Sequence, residues 1–237
     1  MNKRKNILSV NADSKTSKGT KYGFLTGILY LAPSDISGYN VCPMAEAAQC
    51  WLPCLYTAGR GKFSNVQQSR INKTKRFFSD RDNFMLDLIY SINTLIRKAE
   101  RENLTPLVRL NGTSDIRWEN IRYDGLTIFE HFPNVQFYDY TKIPNRKRIP
   151  SNYDLTFSYS GVDTYQKAVR KAKFNINLSR IAVVFSHRER IPETFHGLPV
   201  VSGDDSDVRH MDDKKVIVSL FAKGEAKKDT SGFVVQV

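Results

Sequence analysis

Residues 22–32 read Tyr-Gly-Phe-Leu-Thr-Gly-Ile-Leu-Tyr-Leu-Ala, a nearly continuous apolar run that ends at Pro33. Its β-branched and aromatic side chains, together with the proline that stops it, indicate a buried strand. It is the first strongly apolar segment of the chain. The segment that follows should therefore be a loop leaving the end of a strand.

Short apolar segments recur after this strand, and each runs into polar residues at its C-terminal end. They lie at 107–110, 135–138, 154–157, 181–185, 198–201 and 216–221. Helices are predicted between them at 163–174 and around 126–131. This alternation predicts an α/β fold with about six mostly parallel strands, arranged as a partial or full (β/α) barrel. In such folds ligands bind at the carboxyl ends of the strands.

The clearest helical pattern runs from about Asp82 to Glu102, where apolar residues form one stripe at 3.6-residue spacing with charges opposite. We interpret the stripe as part of the core. Residues 1–21 are polar and predict an N-terminal arm with few packing contacts. The remainder, 22–237, is predicted to be a single α/β domain that carries a cysteine loop at 40–60.

That loop contains all three cysteines of the chain, Cys42, Cys50 and Cys54, within thirteen residues. Cysteines that merely fill a core would not be confined in this way. Residues 45–52 could form about two helical turns before Pro53 interrupts them. Cys50 would then lie near the end of a short helix, and Cys54 beyond the break.

Thiolates are ligands of both iron–sulfur clusters and structural zinc. Zinc normally takes four ligands in close pairs, whereas the four histidines lie far from the cysteines in sequence and lack a paired spacing. A histidine brought in by folding would keep zinc open. The pattern favours an iron–sulfur cluster bound by Cys42, Cys50 and Cys54.

Three cysteines on a loop after the first strand of a parallel α/β protein resemble the arrangement in radical S-adenosylmethionine enzymes. The spacing here is seven and then three intervening residues, against three and then two in that superfamily. The resemblance implies a partial barrel and a [4Fe–4S] cluster with one iron left open. It also implies S-adenosylmethionine as the ligand of that iron.

Five segments carry a second resemblance: Cys42-Pro-Met-Ala, Cys54-Leu-Tyr-Thr-Ala-Gly-Arg60, Val108-Arg-Leu-Asn-Gly-Thr-Ser-Asp-Ile-Arg-Trp-Glu119, Phe137-Tyr-Asp-Tyr-Thr-Lys142 and Asp229-Thr-Ser-Gly-Phe233. Through them the chain, from about residue 14 to 233, is similar to a family of uncharacterised bacteriophage proteins. That similarity implies a phage protein acting in the cytoplasm of its bacterial host. It transfers no catalytic residue to this sequence.

Polar residues after two of the predicted strands are candidates for binding a cofactor. Asn111 and Asp115 follow one strand beside a glycine turn, and could bind the polar end of S-adenosylmethionine or of a substrate. An Asx-type turn with a helix cap is the structural alternative. Asp139 and Lys142 follow the next strand and place an acid and a cation at its end, where a surface ion pair is the alternative.

Other polar groups give weaker indications. Ser158, Ser160 and His187 suggest nucleophilic chemistry, but without a G-x-S-x-G turn or a carboxylate partner we do not expect a hydrolase triad. The acidic residues of 204–207 could bind a hard cation, yet they also fit an ordinary turn. The basic loop 142–148 suits phosphate contacts or solvent equally.

Composition limits the classes of partner. The formal charge of +12 favours polyanions such as nucleic acid, although the basic residues are dispersed and could form only a solvated surface. No apolar run approaches the ~20 residues needed to cross a bilayer, so we expect no membrane partner. The basic start is not followed by a secretory apolar segment. An odd number of cysteines then favours reduced thiols in a cytosol over disulfides.

The leading hypothesis is an iron–sulfur protein of radical-enzyme type, with its cluster at the carboxyl ends of the strands. Its small-molecule substrate, its oligomeric state and whether it is an enzyme at all stay open. The main alternative is a phage protein in which a cluster or zinc stabilises the loop and the basic surface binds nucleic acid. A virion or assembly component is the third class.

Overall fold

The computed structural model describes residues 3–10, 14–51, 54, 59–175 and 179–237. Its strands are β1 (Ser9–Val10), β2 (Phe24–Ile28), β3 (Thr105–Arg109), β4 (Arg122–Tyr123), β5 (Leu126–Thr127), β6 (Gln136–Thr141), β7 (Tyr153–Ser158), β8 (Ile181–Phe185), β9 (Thr194–Phe195), β10 (Leu198–Ser202) and β11 (Ile217–Phe221). Its α-helices are α1 (Ser14–Gly19), α2 (Ser34–Ser37), α3 (Ser64–Ser79), α4 (Arg81–Arg101), α5 (Ile128–His131) and α6 (Asp163–Lys171).

Nine of these strands form one sheet in the order β1-β2-β3-β6-β7-β8-β11-β10-β9. Seven neighbouring strands, from β2 to β10, run parallel, and only the edge strands β1 and β9 are antiparallel to their neighbours. Strands β4 and β5 pair with each other in a separate two-stranded sheet. The predicted α/β class and its mostly parallel sheet are confirmed.

Closure of this sheet into a full barrel is not seen among the described strands. The two edge strands lie at opposite ends of the strand order, and each has only two residues. Edges this short offer too few backbone groups to close a ring of strands. The sheet is therefore open as described, with β11 inserted between β8 and β10.

One face of the sheet is covered by α4, as its apolar stripe predicted. Phe84, Leu88 and Ile92 are fully buried on this helix and belong to one core cluster with Val108 and Phe137 of the sheet. Burying side chains of this size contributes about 1.5–3 kcal/mol each to folding. The helix α4 and the strands it covers thus form the larger part of the core.

The opposite face of the same strands is covered by the segment that follows β10. Val208 packs there against Leu107 and Tyr138. Next to these apolar contacts, Arg109 Nη1 lies 2.5 Å from the Asp207 carboxylate. This face therefore combines apolar contacts with a buried ion pair.

Helix α3 was not predicted, because residues 59–79 are rich in Gly, Asn, Gln and Lys and contain a basic run at 70–76. The helix has few apolar residues, and its buried positions are Arg70, Thr74 and Phe77. The Thr74 hydroxyl accepts a hydrogen bond from the Ala32 amide at 2.8 Å. A helix that buries polar side chains in this way lacks the apolar stripe from which helices are predicted.

The predicted helix at 45–52 is also wrong for its described residues. Residues 43–49 form consecutive turns, and Gln49 has a left-handed backbone with φ of 53°. That conformation ends any helical path before Cys50. Pro53, the predicted end of the helix, lies outside the described residues.

Part of the predicted N-terminal arm is packed against the sheet, although few packing contacts were expected there. Strand β1 pairs with β2, and Ile7 and Leu8 are buried.

The loop after β3 approaches the end of β2 closely at Gly112. A Cβ at this position would lie 2.5 Å from Ile28 Cγ2 and 2.9 Å from the Leu29 carbonyl oxygen. We expect Gly112→Ala to lower the free energy of unfolding by about 2 kcal/mol, because neither neighbour can move without displacing a strand. Chemical denaturation would measure this change.

Gly19→Ala is the matched control, since its Cβ would meet nothing closer than 3.8 Å. We expect it to change stability by less than about 0.5 kcal/mol. Equal effects of the two substitutions would contradict the close approach at Gly112.

Candidate functional site

The first part of the cysteine loop, residues 40–51, is held by hydrogen bonds to the segments that follow β3 and β7. At its start, the Val41 carbonyl accepts a hydrogen bond of 2.8 Å from the Asp115 amide, in the loop after β3. Further along, the Ala48 carbonyl accepts one of 2.9 Å from the Ser160 hydroxyl, after β7. Val41 and Ala48 are both buried. Residues 40–51 of the loop are therefore packed against the sheet.

None of the three cysteines of this loop, all of which the structure describes, forms a disulfide, and each is partly buried. Cys42 Sγ lies 3.9 Å from the Thr113 carbonyl oxygen, and Cys50 Sγ lies 3.8 Å from that of Ala45. Both contacts are weak hydrogen bonds that a protonated thiol can donate. Cys42 thereby touches the loop after β3, which carries two of the predicted cofactor-binding residues.

The thiols also interact electrostatically with one another. Burial is the main cause that raises the pKa of Cys42, and negative charge at Cys54, Asp115 and Cys50 raises it further. Burial likewise raises the pKa of Cys50, against the opposing effect of the Lys142 cation. Five of the residues singled out in the sequence are thus brought into one interacting group.

This group is not a preformed site for a single metal ion. Within the described ranges, no set of three or more His, Cys, Asp or Glu side chains is arranged so that it could hold one. The iron–sulfur cluster and its three cysteine ligands accordingly stay a prediction.

Asp115 lies at the centre of the predicted group and is almost completely buried. Its Oδ2 accepts a hydrogen bond of 2.7 Å from the Lys142 amide, and its Oδ1 lies 3.6 Å from Arg146 Nη1. Burial raises the pKa of Asp115, while the Lys142 amide and Arg146 oppose that rise. Among the described residues, Oδ1 accepts no hydrogen bond. It therefore retains acceptor capacity for a ligand.

Lys142 extends its ammonium group away from solvent. Its Nζ donates to the Ser158 carbonyl at 3.2 Å, to the Ser158 hydroxyl at 3.0 Å and to the Tyr159 carbonyl at 3.1 Å. Burial lowers the pKa of Lys142, and Cys50 and Asp115 partly restore it. Lys142 thus provides a positive charge beside the thiols, as a site for an anionic group would need.

Asp139 is buried at the end of β6 and links it to β3. Its two oxygens accept hydrogen bonds from the Leu110 and Asn111 amides at 3.1 and 3.0 Å, and Oδ2 also accepts one from the Tyr153 hydroxyl at 3.0 Å. Burial raises the pKa of Asp139 to about 7, while Arg109 and these donors favour the charged form. Through these hydrogen bonds, Asp139 connects the end of β6 to the residues that follow β3 and to β7.

Asn111 has every part of its side-chain amide occupied. Its Oδ1 accepts from the Ser114 hydroxyl, the Ile116 amide and Trp118 Nε1, at 2.8, 2.9 and 3.2 Å. Its Nδ2 donates to the Ile116 carbonyl at 3.0 Å. These contacts shape the loop after β3. They differ from the predicted Asx-type turn with a helix cap, because the short helix Trp118–Asn120 has no side-chain cap. A direct role of Asn111 or Asp139 in cofactor binding stays a prediction.

Arg146 and Glu119 belong to the same region but were not singled out in the sequence. Arg146 Nε donates to Glu119 Oε1 at 3.0 Å, its Nη2 also pairs with the same carboxylate, and both side chains are buried. Arg146 lies in the basic loop 142–148. Nothing in that run of basic residues distinguishes the one arginine that forms a buried ion pair. Trp118-Glu119 stands within a segment that matched the phage family, which was the one available signal.

The weaker groups do not form sites among the described residues. Ser158 binds Lys142, whereas the His187 ring contacts Ser186 and the Val237 carbonyl, so no catalytic triad is formed. Asp207 is paired with Arg109, which removes it from a cation site with its acidic neighbours.

The raised pKa values of Cys42 and Cys50 predict that these two thiols are alkylated slowly. Because only the thiolate reacts with iodoacetamide, we expect Cys42 and Cys50 of the metal-free protein to be alkylated slowly near pH 7, with rates still rising above pH ~9. Peptide mass spectrometry would follow each cysteine separately. Protein unfolded in denaturant is the control, with rates that level off just above the ordinary cysteine pKa of about 8.5. Equal profiles in the folded and unfolded protein would contradict the buried, mutually interacting thiols.

Replacing Asp139 tests whether its hydrogen bonds between neighbouring strands stabilise the fold. In Asp139→Asn one carboxylate oxygen becomes an NH₂ group that must face at least one of the donors from Leu110, Asn111 and Tyr153. We expect a loss of about 3 kcal/mol in the free energy of unfolding at pH ~8, measured by denaturation. The exposed Asp205→Asn is the matched control and should stay within about 0.5 kcal/mol of the unchanged protein. An Asp139→Asn protein as stable as this control would refute the role.

Comparison with known proteins gives one relationship. No curated protein and no solved structure matches the chain. No helix among the described residues is both long and apolar enough to cross a lipid bilayer. A family model described as Gene product 88 matches residues 2–237, nearly the whole sequence. The predicted resemblance to a phage protein family is thereby confirmed, and the chain belongs to the Gene product 88 family of bacteriophage proteins.

Proposed function

We propose that this protein binds an iron–sulfur cluster through Cys42, Cys50 and Cys54 at the carboxyl end of its sheet. The observation that carries the proposal is the convergence of the three thiols with Asp115 and Lys142. These residues come from three loops and influence one another's charge state. A group of this kind provides soft sulfur ligands, a nearby cation and a carboxylate oxygen in one place.

A cluster fits this donor set better than a single zinc ion does. The thiols are close enough to interact, yet they are not grouped around one point as tetrahedral zinc requires at Zn–S distances of about 2.3 Å. A cluster of several irons spreads its thiolate ligands over a larger volume. No histidine is among the groups that act on the pKa of Cys42 or Cys50, so the described surroundings do not support a zinc site of three cysteines and one histidine.

The surrounding residues suit the charge of such a group. Thiolate ligation replaces the protons that burial holds on Cys42 and Cys50, so binding would release protons and weaken as the pH falls. The Lys142 ammonium, already turned inward by three oxygen acceptors, would offset the added negative charge. Bound here, a cluster would supply one-electron chemistry and, with three protein ligands, one open coordination position.

The finer proposal is a radical S-adenosylmethionine-type enzyme. It is supported by the strand order, since β2, β3, β6, β7 and β8 lie side by side in chain order, as barrel strands do. It is also supported by the free acceptor capacity of Asp115 Oδ1 near the thiols. S-adenosylmethionine would use its amino and carboxylate groups at the open iron. The bacterial cytoplasm, where a phage protein of this kind would find reduced thiols, is the proposed location.

Anaerobic reconstitution with iron and sulfide tests the proposal. We expect about four iron and four sulfide per chain, with broad visible absorbance. Substitution of any one of the three cysteines by serine should lower both contents together. Ser34→Ala, on the neighbouring helix α2, is the control that should leave them unchanged. Stoichiometric zinc without sulfide, or cysteine variants that retain the iron content of the unchanged protein, would refute a cluster.

The same preparation separates the finer proposal from the coarser one. Adding S-adenosylmethionine to the reduced protein should change the electron paramagnetic resonance spectrum of the cluster and yield methionine and 5′-deoxyadenosine. A normal cluster whose spectrum S-adenosylmethionine does not change would leave a redox or structural role and rule out the radical enzyme.

A further inference from the structure

A groove of about 500 Å³ lies beside the cysteine loop and shares only Asp115 with the residues of the function proposed so far. It is bounded by the corner between α3 and α4 and by the loops after β2 and β3. Its lining includes Asn40, Pro43, Phe77, Phe78, Arg81 and Arg117. Small-molecule sites usually measure about 300–1,000 Å³, so the groove can hold a ligand of nucleotide size.

Phe78, which lines this groove, belongs to an exposed aromatic pair with Tyr39. The rings of Tyr39 and Phe78 stack with centroids 4.4 Å apart and planes 7° from parallel. More than a third of each residue remains accessible to solvent, at 36% and 39%. Exposed flat rings bind nucleobases by stacking, which is worth about 1–3 kcal/mol per base.

Two arginines flank the same groove. The Arg81 guanidinium lies 3.7 Å above the Phe77 ring, and its Nε donates to the Phe77 carbonyl at 2.5 Å. These contacts hold the group in place while its terminal nitrogens remain available for further bonds. Arg117 is exposed on the opposite wall. Across the part of the chain that the structure describes, neither arginine forms a salt bridge with a carboxylate.

The groove is also positive as a whole. Asp115 is the one acidic residue among its described lining residues. That carboxylate is directed towards the Lys142 amide and Arg146, and is thereby compensated. Phosphate groups are bound by guanidinium groups that offer paired donors, and such a wall would attract them.

We propose that this groove binds a nucleotide, with its base stacked on Phe78 and its phosphate between Arg81 and Arg117. The sequence concealed this arrangement, because the aromatic and basic residues come from three separate segments, at Tyr39, at 77–81 and at Arg117, that meet only in the fold. The proposal does not depend on a cluster. The nucleotide could be free or could be one unit of a single-stranded nucleic acid, and the experiment separates these sources.

Binding would be measured with two probes on the full-length, metal-free protein. Adenosine 5′-monophosphate is titrated by calorimetry, and a fluorescein-labelled single-stranded DNA of about ten nucleotides by anisotropy. Binding of the mononucleotide would identify a free nucleotide as a ligand. Binding of the DNA alone would identify a strand. Either result supports the proposal if it depends on the groove residues.

Two variants test that dependence. We expect Phe78→Ala to weaken binding about tenfold through the loss of stacking. Arg117→Gln should weaken it several-fold and make the salt dependence shallower by about one phosphate contact. Because Arg117 is exposed and forms no salt bridge within the described residues, its substitution should not disturb folding.

The matched controls remove an aromatic ring and a cation of similar exposure from α4, outside the groove lining. Tyr90→Ala removes a ring that is 39% exposed, and Arg101→Gln removes an exposed cation. Both should bind within about twofold of the unchanged protein. Failure of both probes to bind, or binding that Phe78→Ala and Arg117→Gln leave at the level of these controls, would overturn the proposal. Cys54→Ser should retain nucleotide binding, so loss of the cluster and loss of the groove can be told apart.

Discussion

The carboxyl end of the sheet depends on Asp115, which joins three separate loops. Its backbone amide holds the cysteine loop at Val41, its carboxylate holds the chain after β6 through the Lys142 amide, and its second oxygen faces Arg146. An almost fully buried carboxylate is costly unless hydrogen bonds and a cation compensate it. Here the compensating groups are those that position the candidate site. The polar residues that hold this region together are therefore also those of the candidate site.

The sequence was sufficient to predict the strands and helices that a local pattern of residues encodes. The strands from β3 to β11 in the main sheet, except the two-residue β9, were located by apolar runs that end in polar residues, and α4 by its stripe. The polar helix α3 could not be predicted in this way, since its burial of Arg70 and Thr74 is decided by the neighbours it meets. The turns at 43–49 likewise depend on Gln49 adopting a left-handed backbone, which composition alone does not reveal.

The candidate site shows the same division between local and long-range information. Placement of the three cysteines, Asp115 and Lys142 at one edge followed from the rule that parallel strands end together. The buried pair of Arg146 and Glu119 was invisible, because its partners are 27 residues apart and each resembles a surface charge in sequence. The aromatic and arginine groove was hidden for the same reason. Charge pairing and stacking across such separations are properties of the fold.

The short edge strands described above have a consequence for how copies of this protein meet. A long, exposed sheet edge offers unpaired amides and carbonyls on which another chain can add a strand, a common start of aggregation. Here each edge of a nine-stranded sheet is closed by a two-residue antiparallel strand, at β1 and β9. Among the described residues, β1 pairs with Gly27 and Ile28 of β2, and β9 pairs with Leu198 and Pro199 of β10. Short antiparallel edge strands of this kind reduce the length of regular edge on which another chain can add a strand.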